Sequence, residues 1–221
     1  MEYIVTGIEF FHKGGAVMYV LLLCSLLVVA IGVERALYYR QADSGREFAR
    51  RFSQAAAAGH FEEAAGLAKN SAGVLAAVLL TAMRKATDAQ AAHYMELQTG
   101  IELSRFRQRL YYLSVIVTMA PLLGLLGTIS GMISSFSVFN VTAGQATAIT
   151  GGVGEALIAT AMGLCVAIAA LTIHAYFTQR VENIVTDMEL CCSLVEEHRA
   201  ELLPAAAVVP AGGCVLEGGA L

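Results

Sequence analysis

Residues 110–179 hold one carboxylate, Glu155, and one imidazole, His174, with no Lys, Arg or Asp. An ionisable side chain in so apolar a stretch is costly to keep and marks function by default. The chemistry open to a carboxyl set among hydroxyls is proton exchange. The hydroxyls fall on two regular stripes. Gly124, Thr128, Gly131 and Ser135 recur at intervals of four, three and four, leaving Leu125, Ile129, Met132, Ile133 and Phe136 on the greasier side. Gly152, Ala156, Thr160, Gly163 and Ala167 form a comparable stripe further on. Small residues let membrane helices approach closely, and a Thr hydroxyl can bond back to its own helix, so packing alone is one reading. Glu155 beside both stripes favours another, an interior or pore-facing surface. For Glu155 itself the competing role is that of an N-terminal helix residue at the outer interface, held by the helix dipole. His174, near the cytoplasmic end, reads as a solvated interfacial histidine, with a proton relay as the other reading.

Positioning these groups takes membrane helices. A charge-poor run of this length exceeds one crossing, which takes about 20 apolar residues at roughly 1.5 Å each. It suffices for two spans, 110–140 and 149–178, joined by a hairpin at 141–148. An earlier apolar run, 16–33, follows Lys13 and closes at Glu34 and Arg35, predicting a first span over 16–36. The start Met1-Glu2-Tyr3 is acidic where a signal peptide is basic, so this run reads as a retained span. Composition agrees: 57% of residues are hydrophobic and 14% charged, where a soluble domain carries about a quarter charged. With no tryptophan, aromatic belts fall to Tyr19, Tyr38, Tyr39, Tyr111, Tyr112, Tyr176 and Phe177.

The basic residues set the orientation. Lys13 precedes the first span, eleven Lys and Arg run from Arg35 through Arg109 inclusive, and only Arg180 and Arg199 follow the third span. Basic flanks stay cytoplasmic. The N-terminal segment 1–15 and the 141–148 hairpin are therefore expected outside, with 37–109 and the C-terminal helix 179–203 inside. Segment 37–109 is rich in helix formers and lacks proline; Gly45, Gly59, Gly66, Gly73 and Gly100 are expected to divide it into short helices. Phe48, Arg51 or Phe52, Ala55 and Ala56 give one apolar stripe, and Leu75, Val78, Leu79 and Met83 another. Residues 104–139 are expected to form one helix, kinked near Thr118 to Pro121. Residues 204–221 have no consistent period and read as a disordered tail.

The fold class expected is all-α: a polytopic membrane protein with three transmembrane helices, its long helices extending into a cytoplasmic helical bundle. Five cysteines with no paired CxxC spacing read as free thiols. No nucleotide loop, metal cluster or nucleophile–base pair stands out. The chain is not expected to be an enzyme, nor to take a cofactor, metal or nucleic acid; its surroundings are membrane lipid.

The segment Ala120-Pro121-Leu122-Leu123-Gly124-Leu125-Leu126-Gly127-Thr128-Ile129-Ser130-Gly131 resembles the second-span signature of the ExbB/TolQ/MotA proton-channel family. Gly152-Val153-Gly154-Glu155-Ala156-Leu157-Ile158-Ala159-Thr160-Ala161-Met162-Gly163 resembles its third-span signature. The likeness is specific over about 100–180 and weaker before that. Departures are Ala169, His174-Ala175 and Gly151-Gly152, where ExbB-type relatives carry Pro, Tyr-Asn and Pro-Gly. A fourth span and a larger charged domain, usual in the flagellar-stator branch, are absent, which favours the ExbB or TolQ type; compactness favours ExbB.

The resemblance implies a bacterial inner-membrane protein and a homo-oligomer, five copies around a dimer of a single-span ExbD- or TolR-like partner with a membrane aspartate. Proton flow past that aspartate would drive motion passed to a TonB- or TolA-like transducer. Thr128 and Thr160 match the family's pore-lining threonines and Glu155 its third-span carboxylate; Gly124, Gly131, Ser135, Ala156 and Gly163 complete the small pore face. Proton is the default ion, since one carboxylate with hydroxyls makes a sparse sodium cage. Two other readings stay open: a TolQ-like subunit of the Tol-Pal envelope-maintenance system, and a non-conducting scaffold whose stripes only pack.

Overall fold

A computed structural model describes residues 15–141 and 146–202, with side chains at 137–151 and at 155 outside that description. The expectations for the N-terminal segment, the middle of the hairpin and the tail lie outside the described residues. Among the described residues seven helices follow in order: α1 (Gly15–Ala42), α2 (Arg46–Ala57), α3 (Phe61–Asn70), α4 (Val74–Met83), α5 (Asp88–Arg107), α6 (Leu110–Val141) and α7 (Ala146–Glu197). No strand occurs among the described residues, so the chain is all-α. Among the described residues, three helical stretches are long and apolar enough to cross a membrane.

The chain divides into two units, Met1–Leu37 with Arg107–Gln179 and Tyr38–Phe106 with Arg180–Leu221. In the first, the inside is small and the outside large. Ala120, Ala159 and Ala170 are fully buried with Leu21 and Leu113, while Leu23, Leu122, Ile133, Leu157 and Ile168 are each more than half exposed. Water would penalise so continuous an apolar surface; lipid does not, and it leaves close backbone packing as the force between helices. Pro121 lies within α6, which continues unbroken to Val141.

Against the single helix expected over 104–139, the chain breaks between α5 and α6, and Arg109 sits at φ 69°. Ion pairing explains the break. Arg35 is buried; its Nε and Nη2 donate to the two carboxylate oxygens of Glu34, at 2.6 Å each, and its Nη1 to the Gln108 carbonyl at 3.1 Å. Arg109 reaches the same carboxylate at 3.1 Å. A helix end leaves carbonyls without partners, and here a guanidinium takes one of them.

The second unit is a bundle of short helices. Phe48, Ala49, Phe52, Ala55 and Ala56 form the buried face of α2, so Phe52 and not the exposed Arg51 completes that stripe. Leu75, Val78, Leu79 and Met83 are buried in α4 as expected. Of the five glycines expected as breaks, Gly45 and Gly73 stand at the N-caps of α2 and α4 and Gly59 just beyond the end of α2, all at positive φ, whereas Gly66 and Gly100 lie inside α3 and α5. Only the first three need a backbone that other residues adopt at a cost. Tyr39 does not join an aromatic belt: it is buried and donates its hydroxyl to the Phe106 carbonyl at 2.7 Å. In the first unit Phe177 is likewise buried, while Tyr19, Tyr111, Tyr112 and Tyr176 are exposed.

Candidate functional site

The two sequence stripes meet. A Cβ placed on Gly124 would lie 3.1 Å from the Thr160 Cα and 3.2 Å from the Ala159 carbonyl oxygen. One on Gly163 would lie 2.6 Å from the Ala120 oxygen and 3.0 Å from the Gly124 Cα. Toward the other end, a Cβ on Gly131 would meet the Gly152 oxygen at 3.1 Å and the Ala156 Cβ at 3.3 Å, and one on Gly152 would overlap the Ser135 hydroxyl. Gly124, Gly131, Ser135, Ala156 and Gly163 are all buried in this α6–α7 seam. Apart from the Ser135 side chain against Gly152, each contact is to backbone or to a methyl, the closeness that glycine permits.

Three hydroxyls mark the seam, each with a defined partner. Ser135 is buried and donates to the Gly131 carbonyl of its own helix at 2.8 Å. Thr128, half-exposed, donates to its own Leu125 carbonyl at 2.6 Å. Thr160 differs: its hydroxyl crosses to α6 and donates to the Gly124 carbonyl at 3.1 Å. Hydrogen bonds between membrane helices contribute only about 0.6 kcal/mol on average, so this one matters more for orientation than for stability. Glu155 lies on α7, its side chain outside the described residues. His174 is half-buried on α7.

Two features escaped the sequence reading. A Cβ on Gly127 would lie 2.6 Å from the Ala159 Cβ and 3.7 Å from Val17 of α1, making Gly127 a meeting point of three helices. Its spacing of three from Gly124 and four from Gly131 was the available signal. The Glu34–Arg35–Arg109 cluster was visible only as two charged edges of separate spans.

The second unit carries its own charged cluster. Asp43 accepts from the Gly45 amide at 2.8 Å and from Arg180 at 3.0 Å, and Arg46 donates to Asn183 at 2.8 Å. With Ile184 and Asp187 these line one cavity. Burial pushes the Asp187 carboxyl above the usual aspartate range; Arg46 pulls it back and Asp43 adds to the rise. Cys191 is fully buried, and burial, with smaller contributions from Cys192 and Asp187, pushes its thiol up to about 12. Burial raises Cys192 too, against an opposing Thr99 hydroxyl. Among the described residues Cys24, Cys165, Cys191 and Cys192 are free thiols.

Three apolar helices, small residues inside and large ones outside, with a glycine-lined seam that carries Thr128, Ser135 and Thr160, define a polytopic helical membrane protein. The profile of the MotA/TolQ/ExbB proton channel family matches residues 68–190. The ExbB-like biopolymer transport protein 1 of Synechocystis sp. is 34% identical over 170 residues, covering 74% of this chain and 67% of that one. The ExbB-like protein 3 of the same organism is 36% identical over 166 residues, covering 72% and 78%. The Tol-Pal system protein TolQ of Haemophilus influenzae is 35% identical over 95 residues, covering 42% and 41%. The chain belongs to the MotA/TolQ/ExbB proton channel family.

Proposed function

We propose that this chain is the pore-forming subunit of an inner-membrane motor. It assembles as a homo-oligomer around an ExbD- or TolR-like single-span partner and couples proton flow to work on the cell envelope. Thr128, Glu155 and Thr160 line the ion path, and Gly124, Gly131, Ser135, Ala156 and Gly163 form its wall. The observation that carries this reading is the seam: hydroxyls, glycines and one carboxylate-bearing helix in a span otherwise free of charge. Packing alone requires the glycines but neither the half-exposed Thr128 nor Glu155. The N-terminus faces outward and the helices of 37–109 and 179–203 lie in the cytoplasm, following the basic flanks.

ExbB-type service to a TonB-like transducer is favoured by the two biopolymer-transport relatives, which align over about three-quarters of this chain. The shorter alignment to TolQ keeps the Tol-Pal role as the second reading. Purification from native membranes in mild detergent, with mass spectrometry, tests the proposal. A stoichiometric single-span protein with a membrane aspartate is expected, and a co-purifying TonB- or TolA-like protein names the pathway. Recovery of this chain alone, with no proton flux after reconstitution, would favour the scaffold instead.

A further inference from the structure

We infer that Gly163 and Gly124 are positioning residues for Thr160, holding its hydroxyl so that it offers the ion path acceptor lone pairs only. The inference rests on the reading of Thr160 as path-lining given above. A threonine hydroxyl has one proton to donate and two lone pairs. Thr160 gives that proton to the Gly124 carbonyl at 3.1 Å. What remains can receive the O–H of a water or of a protonated carboxyl, and offers nothing to a carboxylate. To act as a donor, the hydroxyl must first turn away from Gly124.

The two glycines make this arrangement possible. Gly163 is buried and has no side chain, so it acts on the path only through the spacing of the helices. A methyl there would meet the Ala120 oxygen at 2.6 Å and the Gly124 Cα at 3.0 Å. These are backbone atoms, which cannot swing aside as the end of a side chain can. Relief has to come from moving α6 away from α7, and a donor–acceptor distance of 3.1 Å has little slack before the bond is lost. At Gly124 the strain is milder, with contacts of 3.1, 3.2 and 3.3 Å to Thr160 and Ala159 backbone. Thr128 is a control within the molecule: its hydroxyl bonds to its own helix and needs no approach of α7.

The test is proton flux in vesicles reconstituted with the complex purified from native membranes. The variants are Thr160→Val, Thr160→Ser, Gly163→Ala, Gly124→Ala and Thr128→Val, with Gly163→Ala also combined with Thr160→Val and with Thr128→Val. Thr160→Val and Gly163→Ala are each expected to lower flux by about tenfold, the scale of one hydrogen bond lost at a barrier. Together they should lower it no further, because both remove the same oriented hydroxyl. Thr160→Ser should retain flux, and Gly163→Ala combined with Thr128→Val should show multiplied losses. Wild-type flux in Gly163→Ala, or a second full loss when it is added to Thr160→Val, would overturn the inference while leaving the path reading intact. Full flux in Thr160→Val would overturn the path reading and the inference with it. If Gly163→Ala fails to assemble, the same comparison with the milder Gly124→Ala decides.

Discussion

Arg35 donates from Nη1 to the main-chain oxygen of Gln108 at 3.1 Å, while its other bonds hold the carboxylate of Glu34. One buried cation thus satisfies a carbonyl at the α5–α6 break and ties α1 to it. Arg35→Met would leave that carbonyl without this donor and Glu34 with Arg109 alone. We expect a loss of about 1 to 2 kcal/mol, below that of a fully buried pair because Glu34 is a third exposed and keeps Arg109. Arg35→Lys should lose less, keeping the charge without the two-pronged geometry. Thermal unfolding in detergent measures both, and a change below about 0.5 kcal/mol for Arg35→Met would show the cluster to be dispensable.

Glycines of the second unit should separate by circumstance. A Cβ on Gly73 would meet the Ser44 amide nitrogen at 2.6 Å and its Cα at 2.7 Å, at φ 112°, so Gly73→Ala should cost more than about 2 kcal/mol. Gly45→Ala has open space but φ 83°, and should cost about 1 kcal/mol. Gly66→Ala, in the open interior of α3, should instead stabilise by about 0.5 kcal/mol. Denaturant unfolding of the three variants gives the ranking directly.

Acidity should act through Asp187. Its pKa is raised on folding by burial, so the folded chain binds that proton more tightly than the unfolded one. The stability it contributes is complete below the ordinary aspartate range and is lost as pH rises through the raised value. Asp187→Asn should therefore be more stable than wild type at about pH 7, with the advantage shrinking toward about pH 4. The charges facing it are Arg46 and Asp43, so the same comparison in an Arg46→Gln background should show a steeper dependence. Equal pH slopes for wild type and Asp187→Asn would rule the effect out.

Thiol labelling should follow burial. Cys191 is fully buried with its pKa pushed up to about 12, so iodoacetamide at about pH 8 should leave it unmodified until the chain unfolds. Cys192, also raised, should label slowly. Peptide mapping by mass spectrometry reads both rates. Rapid native labelling of Cys191 would mean that the contact between α7 and α2, where its thiol faces the Ala49 carbonyl at 3.8 Å, opens readily.

Glu155→Gln and Thr128→Ala should leave oligomer assembly intact while lowering uncoupler-sensitive activity by about tenfold or more. Blue-native electrophoresis reports the first and proton flux the second. Full activity in both would remove these residues from the path.

Much of this was legible in the residues because lipid simplifies the rules. A run without charge is a span, and glycines at intervals of three and four share a face; Gly124, Gly131 and Gly163 were found that way. The partner of a hydroxyl was not legible. Thr128 and Thr160 look alike in sequence, yet one bonds to its own helix and the other to α6, a difference set by the closeness of two backbones. The break at Arg109 was hidden for another reason: 104–112 holds no glycine or proline to mark an end, and a tertiary ion cluster overrides its helical propensity. Tyr39 looked like an interface anchor until the bundle supplied a buried carbonyl for its hydroxyl.

Arg109 has a consequence for engineering this protein. It is a side-chain-bearing residue at φ 69°, a conformation glycine adopts without penalty and other residues at a cost of about 1 kcal/mol. Directed evolution for heat tolerance would find glycine attractive at this position wherever the bond to Glu34 is worth less than the backbone strain. Such a variant would survive heating better and yet lose one of the three arginines just before the second span, Arg105, Arg107 and Arg109, on which the proposed orientation rests. Libraries sorted on melting temperature should therefore be sorted again on which side of the membrane the chain's ends lie.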